Sequence, residues 1–165
     1  MSKGIKPPDV SLRLLEPGDI PALFDFHADS AAIHMAGAGS VFADAIALGE
    51  HFETVQKNGA LVRVILCGAE TAGYVASFER FGKREISYWI GRDFWGKGIA
   101  TKAVSWWLEE FPPIRSGLYA RVVDGNLASA RVLEKCGFTA FGRDSFFSDI
   151  RNAEIEETLY KYNLR

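Results

Sequence analysis

The sequence predicts one mixed α/β domain, and three observations carry the prediction. Apolar residues alternate with a period of two over several short stretches, the mark of half-buried strands. Two later stretches, 99–111 and 128–136, repeat their apolar residues at helical spacing and end at Pro or Gly. The chain has 165 residues, the size of a single domain.

Val10, Leu12 and Leu14 alternate with Ser11 and Arg13, so 10–15 reads as a strand, ended by Glu16-Pro17-Gly18-Asp19. Asp19 is placed to cap a helix with Pro21 in its first turn and Ile20, Leu23, Phe24 and His27 along one face. Small residues at 36–40 predict a loop. A second helix, 44–57, carries Ile46, Phe52 and Val55 and stops at Asn58-Gly59. The period then becomes that of sheet. Segments 61–67 and 73–81 form a hairpin about the turn 68–71, and a third strand, 85–90, follows Gly82-Lys83-Arg84. In that strand Ile86, Tyr88 and Ile90 share one face, and Glu85, Ser87 and Trp89 the other. The loop 91–98 precedes the helix 99–111, whose Ala100, Ala103, Val104, Trp107, Leu108 and Phe111 keep helical phase up to Pro112-Pro113. After a strand at 118–123 and a turn at Asp124-Gly125-Asn126 comes the helix 128–136, with Val132, Leu133 and Cys136 on one side and Gly137 as its stop. Two strands, 138–147 and 154–162, complete the chain.

With 19 basic and 21 acidic residues the formal charge is −2, which argues against a nucleic-acid or anionic-membrane surface as the main partner. No apolar run approaches the ~18 residues of a membrane span, and the polar opening at 1–9 lacks the apolar core of a signal peptide, so a cytoplasmic monomer or homodimer is expected. A chain of this size can bury a core without a disulfide or structural metal, and Cys67 and Cys136 are read as reduced thiols. The histidines, His27, His34 and His51, and the two distant cysteines show no ligand spacing, so no metal site is predicted.

The most informative stretch is Trp95-Gly96-Lys97-Gly98-Ile99-Ala100-Thr101, between a strand and a helix. Free backbone N–H groups and the positive end of the helix dipole converge there, and such a place holds an anion. Gly96 and Gly98 let a phosphate reach the backbone, and Lys97 adds charge at the rim; the same glycines would also serve a plain tight turn. Three ligands compete. A P-loop needs Ser or Thr after Lys97, where Gly98 stands, and Phe94 and Trp95 are bulky for a loop wrapped round phosphates. A dinucleotide-binding domain would use Gly96, Gly98 and Asp124, yet Thr101 takes the place of the third glycine and further strand–helix units are missing. Coenzyme A is the third.

Four blocks speak for coenzyme A: Glu85-Ile86-Ser87-Tyr88-Trp89-Ile90, Trp95 through Thr101, Asn126-Leu127-Ala128-Ser129, and Glu134-Lys135-Cys136-Gly137-Phe138. In order and spacing they resemble the GCN5-related N-acetyltransferases (GNAT), and within them the RimJ/RimL-type ribosomal-protein N-acetyltransferases. The close match spans 73–138. The resemblance implies a twisted, mostly antiparallel central sheet flanked by helices. It also implies transfer of the acetyl group of acetyl-CoA to a primary amine, on a protein N-terminus or a small molecule, by direct attack in a ternary complex without a metal. Further, it implies that the backbone of Trp95, Gly96, Lys97, Gly98, Ile99, Ala100 and Thr101 holds the pyrophosphate. Tyr88, Trp89 and Ile90 would offer strand backbone to the pantetheine amides, and Asn126 and Ser129 would border the pantetheine arm. Trp95 departs from the family's Gln or Arg, which removes one side-chain contact. Asn126 suits a helix cap as well.

A protonated amine cannot attack a thioester, so a base or an exit path for the proton is needed. Glu85 is the candidate, at a place where some relatives carry a catalytic glutamate; alternatively it is an exposed strand-end charge paired with Arg84 or Lys83. Glu79 comes second, and the histidines read as surface or capping residues. The tyrosine that donates a proton to the leaving thiolate in many relatives is Leu133 here. Ser129 could serve instead, a role suggested in the ribosomal branch, with Tyr88 and Tyr119 as substitutes, or the thiolate departs unaided. The other function the fold allows is a non-catalytic coenzyme A-binding sensor or interaction module, favoured if neither Glu85 nor Glu79 faces the thioester. Segments 28–42 and 147–154 are expected to shape the acceptor groove.

Overall fold

The computed structural model describes residues 9–37, 41–112 and 117–163; the leader at 1–6 and the 38–40 part of the small-residue loop lie outside them. The elements run β1 (Val10–Leu14), α1 (Ile20–Ala28), α2 (Ser30–Ala36), α3 (Ala45–Lys57), β2 (Leu61–Cys67), β3 (Glu70–Arg80), β4 (Lys83–Ile90), α4 (Ile99–Glu110), β5 (Tyr119–Val123), α5 (Leu127–Lys135), β6 (Phe138–Ser148) and β7 (Ala153–Tyr162). Each predicted strand and helix is present, with ends moved by a few residues. Helix α2 is additional. Asp29 caps it, its side chain accepting from the Ala31 N–H at 3.0 Å, and Gly37 at φ +67° ends it in the left-handed region.

The strands form one sheet in the order β1-β2-β3-β4-β5-β7-β6. All neighbours are antiparallel except β4 and β5, which are parallel and share a single register pair, Glu85 with Tyr119. Beyond that pair β4 continues to Ile90 and β5 to Val123 without pairing to each other, so the sheet parts at its centre.

Helices cover both faces. Ile99, Ala103, Val104 and Trp107 of α4 and Leu133 of α5 pack with Val10, Ile65, Val75 and Ile86 of the sheet. On the other face Leu23, Leu48 and Phe52 of α1 and α3 pack with Val62, Val64 and Ala76. Ile46, expected on the apolar face of α3, is 73% exposed, and Leu48 takes the core position. Trp107, Ile99 and Val104 are fully buried, and each such side chain contributes about 1.5–3 kcal/mol. Helix α4 is thereby seated firmly, which fixes the direction of its N-terminus. Cys67 and Cys136 are free and half-buried. Among the described residues no helix is long and apolar enough to cross a membrane.

Candidate functional site

Where β4 and β5 part, a cavity of about 400 Å³ opens, within the range of small-molecule sites. Four elements and one loop wall it: Tyr88, Trp89 and Ile90 of β4; Phe94, Trp95, Gly96 and Gly98 of the loop; Ile99, Ala100 and Thr101 of α4; Asn126, Ser129, Arg131, Val132 and Lys135 at α5; and Ala32, Met35 and Ala36 of α2. The cavity therefore runs from the α4–α5 side of the sheet to α2 on the other.

The α4 end has backbone features that could hold an anion. Gly98 is the N-cap at φ +74° with no side-chain cap, and Gly96 stands at φ +72°. No atom lies within 4 Å of where either Cβ would be, so backbone conformation demands glycine here and the space above the amides is open. Lys97 is exposed, its Nζ 5.7 Å from the Phe94 ring. Trp95 has a role that sequence reading missed: its indole N–H donates to the Ile90 carbonyl at 2.8 Å and pins the loop to the end of β4. Charge at the α5 wall comes from Arg131 and Lys135, which with Ala128 and Val132 occupy one face of the helix at three- and four-residue spacing.

Asn126 both caps α5, its Oδ1 accepting from the Ser129 N–H at 3.3 Å, and lines the cavity. The Ser129 hydroxyl lies 2.7 Å from the phenol oxygen of Tyr88, which also reaches the Ser129 carbonyl at 3.0 Å. Burial pushes the Tyr88 phenol well above its ordinary value, outweighing the opposite effect of the bond to Ser129. Leu133 is buried in the core, and Tyr119 packs edge-on to Phe141 at 5.8 Å, away from the cavity lining.

Glu85, the candidate base, is not the exposed strand-end charge of the alternative reading. It is 5% exposed, is not among the cavity-lining residues, and its Oε1 accepts from Arg121 Nε at 2.8 Å, with Arg80 at 4.0 Å from Oε2. Arg121 also donates to Glu157 at 2.8 Å and to Asp144 at 3.4 Å. Burial alone would lower the Arg121 value, but the hydrogen bonds and charges of Glu85 and Glu157 hold it above the ordinary arginine range. The carboxylate thus bolts the vertex of the parted strands, three residues before Tyr88, or about 10 Å along the strand. Its partner is Arg121 rather than Arg84 or Lys83. Glu79 is exposed and lies at a second cavity, with His51, Phe52 and Tyr74.

The α2 side is apolar and backed by aromatic rings. Trp89 donates to the Phe26 carbonyl at 3.2 Å and stacks at 4.3 Å on His27, whose Nε2 is 3.0 Å from the Tyr74 hydroxyl. Burial, with a smaller effect of His51, brings His27 down to about 4, so it is neutral at pH 7. The C-terminal carbonyls of α2 are held from the β6–β7 turn: Arg151 donates to His34 at 2.9 Å and Met35 at 3.2 Å, and Ser148 Oγ donates to Gly37 at 2.5 Å. Of the two segments expected to shape the acceptor groove, the first supplies Ala32, Met35 and Ala36 to the lining, whereas 147–154 supplies no lining residue among those described and instead holds the end of α2. No Asp, Glu or His stands among the described residues that line the cavity, and no group of His, Cys, Asp or Glu among the described residues could hold a metal.

The acetyltransferase (GNAT) domain family matches residues 9–139. No curated protein matches the sequence. Among solved structures, the chain resembles ribosomal-protein-alanine N-acetyltransferase from Brucella melitensis, with 20% identity, 93% and 99% of the two chains covered and a TM-score of 0.78. It also resembles N-acetyltransferase from Staphylococcus aureus Mu50, with 19% identity, 95% and 99% covered and a TM-score of 0.79. A third similar structure is spermidine N-acetyltransferase from Vibrio cholerae in complex with CoA and spermine, at 20% identity, 92% and 95% covered and a TM-score of 0.75. With four-fifths of its length matched by the domain family and a parted sheet opening beside an uncapped glycine N-terminus, the chain belongs to the GNAT acetyltransferases.

Proposed function

We propose that the protein is an acetyl-CoA-dependent N-acetyltransferase whose acceptor carries a single, weakly basic amine, of the kind found at a peptide N-terminus or on an amino-acid-like compound. The observation that carries this reading is the cavity itself, with phosphate-binding amides at one end, an apolar wall at the other and no carboxylate lining between. The amides of Gly96 through Thr101 would hold the pyrophosphate, with Arg131 and Lys135 adding charge, and the parted edges of β4 would take the pantetheine amides. When bound, acetyl-CoA supplies an activated acyl group. The protein's own residues orient it, exclude water with Trp89, Ile90 and Phe94, and receive the acceptor against Ala32, Met35 and Trp89.

Proton arithmetic narrows the acceptor. An α-amine has a pKa of about 7.7–8.0 and is about one-tenth neutral at pH 7, whereas an aliphatic side-chain amine near 10.4 is neutral in about one molecule in 2,500. A site with no side-chain base favours the first by a factor of about 300, its proton passing to solvent water. A polyamine carries several cations and would find no carboxylate to pair with among the described residues that line the cavity. The RimJ/RimL-type resemblance supports a protein N-terminus.

The test is thiol release from acetyl-CoA with short peptides bearing free N-termini, a blocked lysine and spermine. Peptides should exceed the lysine by about 300-fold at pH 7, and the gap should narrow as pH rises. Faster turnover of spermine at pH 7 would overturn the acceptor class. The withdrawal of both glutamates from the cavity favours a second reading, a coenzyme A-binding module without turnover. Calorimetric binding of acetyl-CoA with no thiol release from any amine, even at alkaline pH, would establish that instead.

A further inference from the structure

The hairpin joining β3 and β4 breaks two local rules at one residue. Phe81 stands at φ +52° and Gly82 at φ +73°, the pair of positive values that a two-residue hairpin turn needs and that Asn-Gly supplies at least cost. Phenylalanine here carries the steric penalty of a Cβ in the left-handed region, and it is 81% exposed. It serves neither the turn nor the core, and such departures gather at functional surfaces.

Phe81 belongs to a cluster. Its ring lies 5.3 Å from the Arg80 guanidinium and 5.9 Å from that of Arg121, while the Nζ atoms of Lys83 and Lys161 lie 4.7 and 5.7 Å from the Tyr119 ring. Phe141, 51% exposed, meets Tyr119 edge-on. The carboxylates nearby are already engaged: Glu85, Glu157 and Asp144 all accept from Arg121, and Arg80 stands 4.0 Å from Glu85. Lys83 and Lys161 are exposed, and neither forms an ion pair with a described residue.

The cluster lies on the face of the sheet that carries the acceptor wall. On β4, Lys83 and Glu85 share a face with Ser87 and with Trp89, which lines the cavity. On β5, Arg121 bonds Glu85 and so lies on that face with Tyr119. Helices α1 and α3 cover the β2 and β3 part of the face, and the cluster lies beyond them. From Trp89 to Lys83 the strand runs about 20 Å, with the exposed Ser87 between. An extended polypeptide advances by the same rise, so a chain with its amino group at Trp89 reaches Lys83 about six residues on.

We propose that the cluster of Phe81, Lys83 and Lys161 binds an acidic stretch of a polypeptide acceptor, about six residues beyond the amine that is acetylated. The inference rests on the peptide N-terminus reading above and deepens it. Carboxylates in the acceptor match the unpaired lysines, and apolar side chains beside them meet the exposed rings of Phe81 and Phe141. Nucleic acid fits less well, because Glu85, Asp144 and Glu157 offset most of the local positive charge that a phosphate backbone needs. Exposed charge pairs are weak singly and screened by salt, so the effect belongs in KM.

The test is thiol release from acetyl-CoA with peptides that share their first four residues and a free N-terminus. Two are ten residues long, with glutamates or lysines at peptide positions 6–8, and a third is the tetrapeptide alone. At low salt the wild type should show a KM about 10-fold lower for the glutamate peptide than for the lysine peptide, with equal kcat and a gap that closes in 1 M salt. Lys83→Glu combined with Lys161→Glu should abolish or invert the preference and leave the tetrapeptide unaffected. Phe81→Asn should raise the KM of the glutamate peptide by about 3-fold while raising Tm, since Asn suits the turn. Turnover of the tetrapeptide without a preference between the long peptides overturns the inference and leaves the acceptor class standing. A preference that survives the double variant overturns it too, as does a single-stranded oligonucleotide that binds the wild type but not the double variant while peptide charge has no effect. If the double variant does not fold, the wild-type comparison of the two long peptides decides. No turnover of any peptide removes the acceptor class and this inference together.

Discussion

The two ends of the cavity are built by different means. At the α4 end the backbone lies between 88 and 101, with two glycines at positive φ and a helix N-terminus, and α5 adds the charge of Arg131 and Lys135. At the α2 end the wall is short and apolar, and it is held by Ser148 and Arg151, which are 111 and 117 residues from the carbonyls they bind. On the proposed function, cofactor recognition would be mostly local and carried by backbone, while the acceptor wall would depend on side chains from the far end of the chain. Side chains can change without disturbing the amides, so a fold built this way can alter its acceptor and keep its cofactor.

The largest effect should come from the joint between the ends. Arg121→Met leaves Glu85 and Glu157 buried without their partner, at a cost of about 3 kcal/mol or more, so thermal denaturation should show a Tm lower by about 10 °C. Glu85→Gln should lower Tm less and retain turnover in the folded fraction; a loss of turnover by two orders of magnitude without a loss of stability would restore Glu85 as the base. At the local end, Gly98→Glu should weaken acetyl-CoA by about 100-fold or more in calorimetry, because it adds strain at φ +74° and a carboxylate among the amides. A folded variant with unchanged affinity would break the comparison.

The aromatic backing of the acceptor wall should show itself in pH. His27 titrates at about 4 when folded and near 6.5 when unfolded, so between those values the unfolded chain binds the extra proton. Its contribution is complete above 6.5 and is lost as pH falls toward 4, on the order of 2–3 kcal/mol. His27→Phe should flatten the fall of Tm over that window, and an unchanged slope would place the titration elsewhere. The smallest effect sharpens the comparison most. Arg151→Met should raise the acceptor KM by about 3- to 10-fold through the loss of its two bonds to α2 carbonyls, with acetyl-CoA affinity unaltered; equal loss of both would show that the two ends are coupled.

This division also explains what the sequence reveals. The phosphate cradle, the strands and helices α1, α3, α4 and α5 are legible because caps, glycines and apolar period lie within a few residues of one another. Helix α2 carries the same signals, Asp29 before it and Gly37 after it, but its small residues have too little apolar contrast to announce a face. The surroundings of Glu85 are hidden for a different reason. Its place on β4 is legible, but its burial beside Arg121, which also bonds Glu157 and Asp144, joins residues whose spacing along the chain has no period. Trp95 reads as a lost contact with the ligand, and only the fold reveals that its indole serves the loop.

The single register pair between β4 and β5 has a consequence for how the molecule comes apart. The strands before it form a meander of sequence neighbours, β1 apart, and those after it form a compact group of three. Across the join the ladder is one rung wide, supplemented by the Arg121–Glu85 ion pair and by α4, which rests on β1, β3 and β4 and touches α5. Amide hydrogen exchange should accordingly resolve two cooperative blocks, 61–90 and 119–162, opening with different free energies. A ligand lodged between them would bind only when both are closed, and would merge the two into one unit of exchange.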